Sequence, residues 1–380
     1  MGLSAGIVSL GLGFGAGVLS SIAAQALWTV LEPWSVRRRR RRSIRRWKAA
    51  GHESVTDAGY LRWGETVLPW IVCAMGPWEA EQIISRYQPK PAVLPTAIKD
   101  RVRSFTHDVQ QRARRGESVP FNGLGYQLAA FDVSQRTVPD ELPLLHLQFR
   151  PTDYFTMLAT DQRLDDPIVI NGQATTLRQE YAASVDLRVR PVPVLATHFG
   201  VAVQVITADG LTLLTERGAT AVDAFVFFPS VAEGASRPVD ADDRHGPHPT
   251  RTAIRGIAEE LGVEVKADRI YWTSLGVNTV LCEYGLIGWT TLDIDWEELQ
   301  RRRQAGLPKD LWESTHIHAV PFSPPAIARF VSEHGPWSPF ALVTLYHTLL
   351  AHFRWDEVDR AMRDSQPQMS QALPETVRVT

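Results

Sequence analysis

Cysteine is nearly absent from this 380-residue chain, which carries only Cys73 and Cys282. So few thiols exclude a disulfide framework and a cysteine metal cluster. They fit a reducing compartment, with both side chains expected as buried apolar fillers. A strong charge of either sign is missing too. The formal net charge is −2, which gives no global attraction to nucleic acid, so no nucleic-acid partner is expected. The sharpest absence is local: no charged side chain precedes Glu32.

Glycine and apolar residues fill that stretch from Gly2 to Leu31, a run long enough to cross a bilayer as one helix. Gly11 and Gly15, and Gly13 and Gly17, stand at the small-residue spacing that lets helices approach closely in lipid. A homo-oligomer through this helix is therefore a possible partner arrangement. Trp28 and Trp34 suit the membrane interface. Arg37 to Arg42 follow, then Arg45, Arg46 and Lys48. Such a block stays on the cytoplasmic side, which puts the N-terminus outside and the rest of the chain inside the cell's inner membrane. It can also bind anionic lipid head groups. Ala24-Gln25-Ala26 fits a small-x-small cleavage site, but no positive charge precedes the run and the arginines oppose export. The reading is an uncleaved anchor over residues 1–32 and a basic juxtamembrane segment over 33–50.

Residues 51–190 read as a helical and mixed region without a catalytic constellation. Trp63, Trp70 and Trp78 lie in what reads as short helical pieces, broken by Pro89, Pro91 and Pro95. Thr96 then caps a helix striped by Ile98, Val102, Phe105 and Val109, with Arg101, Arg103, Arg112, Arg114 and Arg115 off the stripe. Gly123–Val133 and Leu142–Arg150 read as strands, and Leu177–Ser184 as a short helix.

Residues 191–360 carry the chemistry. His198 to Thr207 predicts a strand, Asp209-Gly210 a hairpin turn, Leu211 to Glu216 the return strand, and Ala224 to Phe228 a further strand. Thr252 to Val263 then reads TAIRGIAEELGV. Thr252 can cap a helix. Ala253, Ile254, Ile257, Ala258 and Leu261 form one apolar stripe, and Gly262 supplies the left-handed stop. Glu259 and Glu260 stand together in the last turn, where the helix dipole disfavours carboxylates. Two adjacent acids there invite a cation, and oxygen ligands favour a hard one such as Mg²⁺. An amphipathic helix with a surface acid pair is the other reading. The polar stretch 235–250 holds Arg237, Asp240, Asp242, Asp243, Arg244, His245 and His248, as a flexible loop or as metal ligands. Tyr271 to Trp289 gives two more strands, Asp293 to Arg303 a charged helix, and Ser338-Pro339 opens an apolar final helix. His316 and His318 share one side of a strand, as a structural pair or as groups for a base or phosphate contact. Residues 361–380 read as a disordered tail.

The segment Arg255-Gly256-Ile257-Ala258-Glu259-Glu260-Leu261-Gly262-Val263 resembles the second half of a Nudix box, the signature of hydrolases acting on nucleoside diphosphates linked to another group. Gly256 stands where that family has a glutamate. The first half is displaced, with Phe228 to Gly234 resembling the Pro-Gly-Gly turn without its glycine pair. The strand order from His198 to the acid helix also matches that core. The resemblance covers about residues 195–330. It implies an α+β fold: a Nudix-like α/β/α sandwich, preceded by a smaller pre-Nudix module and the anchor. It further implies Mg²⁺ (or Mn²⁺) on Glu259 and Glu260, Arg255 orienting Glu259, and catalysis by Arg255, Glu259 and Glu260 on a nucleotide-type small molecule. Glu233, Asp243 or Glu283 would then serve as base. The departures leave open a degenerate domain that binds a nucleotide without cutting it, for which membrane-anchored SMODS-associated Nudix-like proteins offer a weaker resemblance.

Overall fold

A computed structural model describes residues 54–134, 143–218, 224–242, 246–309 and 314–371. The expected anchor (1–32), the arginine block (37–42), residues 243–245 and the part of the expected 361–380 tail beyond 371 lie outside them. Among the described residues no helix is long and apolar enough to cross a membrane.

The fold is α+β. The first part runs β1 (Tyr60–Trp63), β2 (Thr66–Trp78), β3 (Ile83–Tyr87), α1 (Thr96–Arg114), β4 (Leu124–Ser134), β5 (Leu144–Asp153), α2 (Tyr154–Ala159), β6 (Pro167–Ile170) and β7 (Gln173–Thr176). Next come β8 (Phe199–Ile206), β9 (Leu211–Arg217), β10 (Phe227–Phe228), β11 (Val231–Gly234), α3 (Arg237–Asp240), β12 (Ala241–Asp242) and β13 (Gly246–Pro247). The remainder is α4 (Pro249–Leu261), β14 (Tyr271–Asn278), β15 (Glu283–Thr291), α5 (Trp296–Gln304), β16 (Ser314–Pro321), α6 (Pro324–Glu333), α7 (Pro339–His352) and α8 (Trp355–Arg363).

Nine strands make the main sheet, in the order β1-β2-β14-β15-β8-β9-β10, with β11 also on β8 and β16 on β9. β15 and β8 run parallel, with Leu286 opposite Val201. Side-chain alternation along β8 separates two cores. Phe199, Val201, Val203 and Val205 pack with Ala253, Ile257 and Leu261 of α4. Ala202 points the other way, into a core built by α6, α7 and α8. β3, β5 and β4 form a second sheet of three strands. It joins the first by bridges between Gln127 and His198 and between Gly125 and Ser236.

One expectation fails in the region 51–92. The Trp-rich pieces read as helical are strands β1 to β3. Val67, Trp70, Ile71 and Val72 are β-branched or aromatic, and β2 finds a partner in β14, with Val277 opposite Ile71. That long-range pairing, together with the local hairpin to β1, sets the conformation. The expected helix at Leu177–Ser184 is a single π-type turn, Arg178–Ala182.

Candidate functional site

Helix α4 starts earlier than the Thr252 cap predicts. Pro249 occupies the first turn, and His248 Nδ1 accepts from the Thr250 amide at 3.3 Å. Trp272 Nε1 donates to Thr250 Oγ1 at 3.1 Å, fixing this end to β14. Gly262 ends the helix with φ 69°, as the left-handed stop requires. The buried face includes Thr252, Gly256 and Glu260 besides Ala253, Ile257 and Leu261. Gly256 is what allows this. A Cβ there would stand 2.8 Å from Val231 Cγ1 and 3.0 Å from Glu233 Cβ. The helix therefore lies hard against β11, and a glutamate side chain has no room at 256.

The acid pair separates. The Glu259 carboxylate accepts from Arg255 Nη1 at 2.9 Å. Glu260 is only 6% exposed, and Arg303 of α5 donates to its backbone carbonyl at 2.9 Å. Burial depresses the Arg303 guanidinium, and the Glu260 charge works in the opposite direction. Arg255 collects the other acids. Its Nε and Nη2 fork onto Asp240 at 3.0 and 2.9 Å, its Nη1 is 3.1 Å from Glu233, and its Nη2 reaches the Gly234 carbonyl at 2.9 Å. Burial opposes the charge, but the hydrogen bonds of Asp240 and Glu259 and the charge of Glu233 prevail, raising its pKa. Asp240 was expected only as one member of the polar 235–250 stretch. No local pattern pointed it at Arg255.

A cleft of about 1090 Å³ opens at the seam between the two sheets. Glu233, Glu283, His198, Arg217, Asn278 and Ser236 are among its polar walls. None of its lining residues comes from α4, so Arg255, Glu259 and Glu260 stand outside it. Among the described lining residues Arg217 is the single arginine or lysine. It lies 4.3 Å above the Phe228 ring centre. Phe121 and Leu124, exposed by 86% and 48%, form part of the mouth.

Sequence reasoning did not single out His198 as a site residue. Its imidazole sits between two glycines. A Cβ at Gly125 would fall 2.8 Å from His198 Nε2, and one at Gly234 would fall 2.7 Å from Cε1. Burial brings its pKa down to about 4, so it is neutral at pH 7. Its backbone amide donates to Asp161 at 3.3 Å. Burial lifts Asp161 well above the ordinary carboxylate range, and the Glu283 charge adds to that. The signal for His198 was its place at the start of a strand, flanked on both neighbouring strands by glycines far away in sequence.

The turn that carries Leu281 and Glu283 is clamped from behind. Arg178 donates to the carbonyls of Thr279 and Val280 at 2.7 and 2.6 Å, while Asp165 takes its other edge at 2.7 and 2.9 Å. Asn278 donates to Gln371 at 2.9 Å. His316 and His318 do not reach the cleft. His318 Nε2 lies 3.6 Å from Glu216, and its ring packs among Phe227, Phe330 and His334. His248 caps α4, and Asp240 belongs to the Arg255 cluster. Cys282 is buried, its thiol pushed up to about 12 by desolvation.

No family model matches the chain, and no curated protein matches it. Solved structures that resemble it include DR0079 from Deinococcus radiodurans, 12% identical, covering 40% of this chain and 82% of that one at a TM-score of 0.29. Among the described residues no group of three or more His, Cys, Asp or Glu side chains is gathered to hold a metal ion. The acid-pair residues do not fit Mg²⁺ or Mn²⁺. Glu259 is committed to Arg255, Glu260 is buried beside Arg303, and position 256 offers neither a ligand atom nor space for one.

Proposed function

We propose that this is a membrane-tethered protein with a Nudix-like α/β/α core that holds a nucleotide-type small molecule in the seam cleft without cutting it at Glu259 and Glu260. The separation of chemistry carries this reading: the polar cleft lies in one place, and Arg255, Glu259 and Glu260 lie outside its walls. At about 1090 Å³ the cleft is at the upper end of the size of small-molecule sites. Arg217 would meet a phosphate, Phe121 offers a flat face for a base, and Glu283 could take sugar hydroxyls or ring amino groups. With one arginine among the described lining residues, a ligand with few phosphates fits better than a polyphosphate. The apolar run 2–31 and the arginine block would keep the domain at an anionic inner-membrane surface.

Hydrolysis remains a second reading, favoured by one observation. Glu233 and Glu283 both line the cleft, and either could act as base toward a water.

The full chain in detergent, titrated calorimetrically with nucleosides, nucleotides, nucleotide sugars, ADP-ribose and dinucleotides, tests both. Products are followed chromatographically over hours, with and without Mg²⁺. Saturable binding with no product is expected, unchanged by Glu259→Gln or Glu260→Gln. Mg²⁺-dependent turnover abolished by Glu260→Gln would overturn the binding reading. Turnover lost in Glu283→Gln alone would support the second. No binding by any of these ligands would leave only a scaffold role.

A further inference from the structure

The carboxylates around Arg255 come from three elements: Glu233 from β11, Asp240 from α3 and Glu259 from α4. Each meets a different part of the same flat group. Asp240 takes the Nε–Nη2 edge, Glu233 and Glu259 share Nη1, and the Gly234 carbonyl takes the remaining Nη2 direction. The oxygens are thus spread round the rim of a guanidinium at 2.9 to 3.1 Å from its nitrogens. Mg²⁺ would need them drawn to about 2.1 Å from a single point. Lys could supply the charge but not the fork.

We propose that this corner is a guanidinium receptor, with Arg255 as a permanent internal cation that binds α4 to β11 in place of a divalent ion. The consequence reaches the cleft. Glu233, Gly234 and Ser236 are cleft wall, and Gly234 is held directly by Arg255. Arg255 is therefore a positioning residue for that wall. The inference does not depend on what the cleft binds.

Thermal unfolding of the full chain in detergent, in EDTA and then in MgCl₂ or MnCl₂, tests it. The native midpoint should be the same in all three. Arg255→Ala should lower the midpoint by on the order of 10 °C. Guanidinium ion, kept far below denaturing concentrations, should restore part of that loss, and Mg²⁺ or Mn²⁺ should not. Arg255→Lys should fall between the two and gain nothing from guanidinium. A native midpoint that drops in EDTA and returns with Mg²⁺ would overturn the proposal. So would rescue of Arg255→Ala by a divalent ion, or by no cation at all. Should Arg255→Ala fail to fold, Glu259→Gln serves instead: a fall of a few degrees without metal dependence supports the proposal, and metal dependence overturns it.

Discussion

The Arg255 corner and the seam cleft share Glu233 and otherwise treat charge in opposite ways. In the corner every charged group has a fixed partner within hydrogen-bonding distance, and Asp240 is 1% exposed. In the cleft, carboxylates, an arginine and a neutral imidazole line one concave space. The first arrangement is rigid and self-neutralising, suited to holding two elements together. The second sets polar groups around a concavity large enough for a small molecule. A pair of adjacent acids in a helix is compatible with either, and their neighbours in space settle which one they serve. The differences between the two places can be broken selectively.

Asp240→Ala should have the largest effect. It removes the forked partner of a half-buried guanidinium, and breaking such a pair costs about 3–5 kcal/mol. Urea unfolding measures it. Because Arg255 also holds Gly234, ligand affinity in the cleft should fall together with stability. A double-mutant cycle with Arg255→Ala should show strong coupling between the two. Additive losses would mean that the fork contributes little.

Acid should come next. His198 has a folded-state pKa of about 4, below the ordinary value near 6.5. The unfolded chain therefore binds more protons between those pH values, and stability rises with pH across that window. It is fully present above about pH 6.5 and is lost as pH falls towards 4, by up to about 3 kcal/mol. Asp161 works the other way, since its raised pKa lets the folded state take up a proton first. His347, held near 3 by burial, adds a limb of its own. The comparison is therefore native against His198→Gln: the variant should show a shallower loss between pH 6.5 and 4. Identical slopes would mean that His198 is not held neutral.

A smaller effect separates two neighbouring glycines. Gly125→Ala sets a methyl 2.8 Å from His198 Nε2, while Gly123→Ala meets nothing within 4 Å. The first should cost about 1–3 kcal/mol by overpacking and abolish binding in the cleft. The second should stay within about 0.5 kcal/mol. Chemical denaturation of both variants reads the difference.

Local signals made much of this architecture legible and left the site largely hidden. Asp209-Gly210 fixed the β8–β9 hairpin, and Gly210 takes φ 78° as that turn demands. Gly262 marked the end of α4, and Ser338-Pro339 the start of α7, where Ser338 accepts from the Ala341 amide at 3.1 Å. Each of those features is written within a few residues. β2 was misread although β1 pairs with it across a tight turn; its other partner, β14, lies some two hundred positions away. Helices α6 and α8 went unmarked although Pro324 and Pro325 stand at the head of α6. The Arg255–Glu259 contact was implied by the family resemblance and occurs at 2.9 Å. Its other partners, Glu233 and Asp240, and the divergence of Glu260 towards Arg303, depend on where β11, α3 and α5 come to lie. Gly256 was legible as a departure from a pattern, while its packing against Val231 was not.

A small change in stability belongs to Arg217→Ala, and it bears most directly on function. Arg217 stacks on Phe228 at the cleft wall. Losing that contact should cost about 0.5–1 kcal/mol of folding free energy. Affinity should respond in a way that stability does not. A charged hydrogen bond to phosphate contributes about 1.5–3 kcal/mol, so a nucleotide should bind at least tenfold more weakly to the variant. The matching nucleoside, which lacks the phosphate, should bind as it does to the native chain. Raising the salt concentration should erase part of the difference by screening. Equal losses for nucleotide and nucleoside would show that Arg217 shapes the wall rather than meeting a phosphate. Unchanged affinity for both would place the phosphate elsewhere in the cleft, or remove it from the ligand altogether.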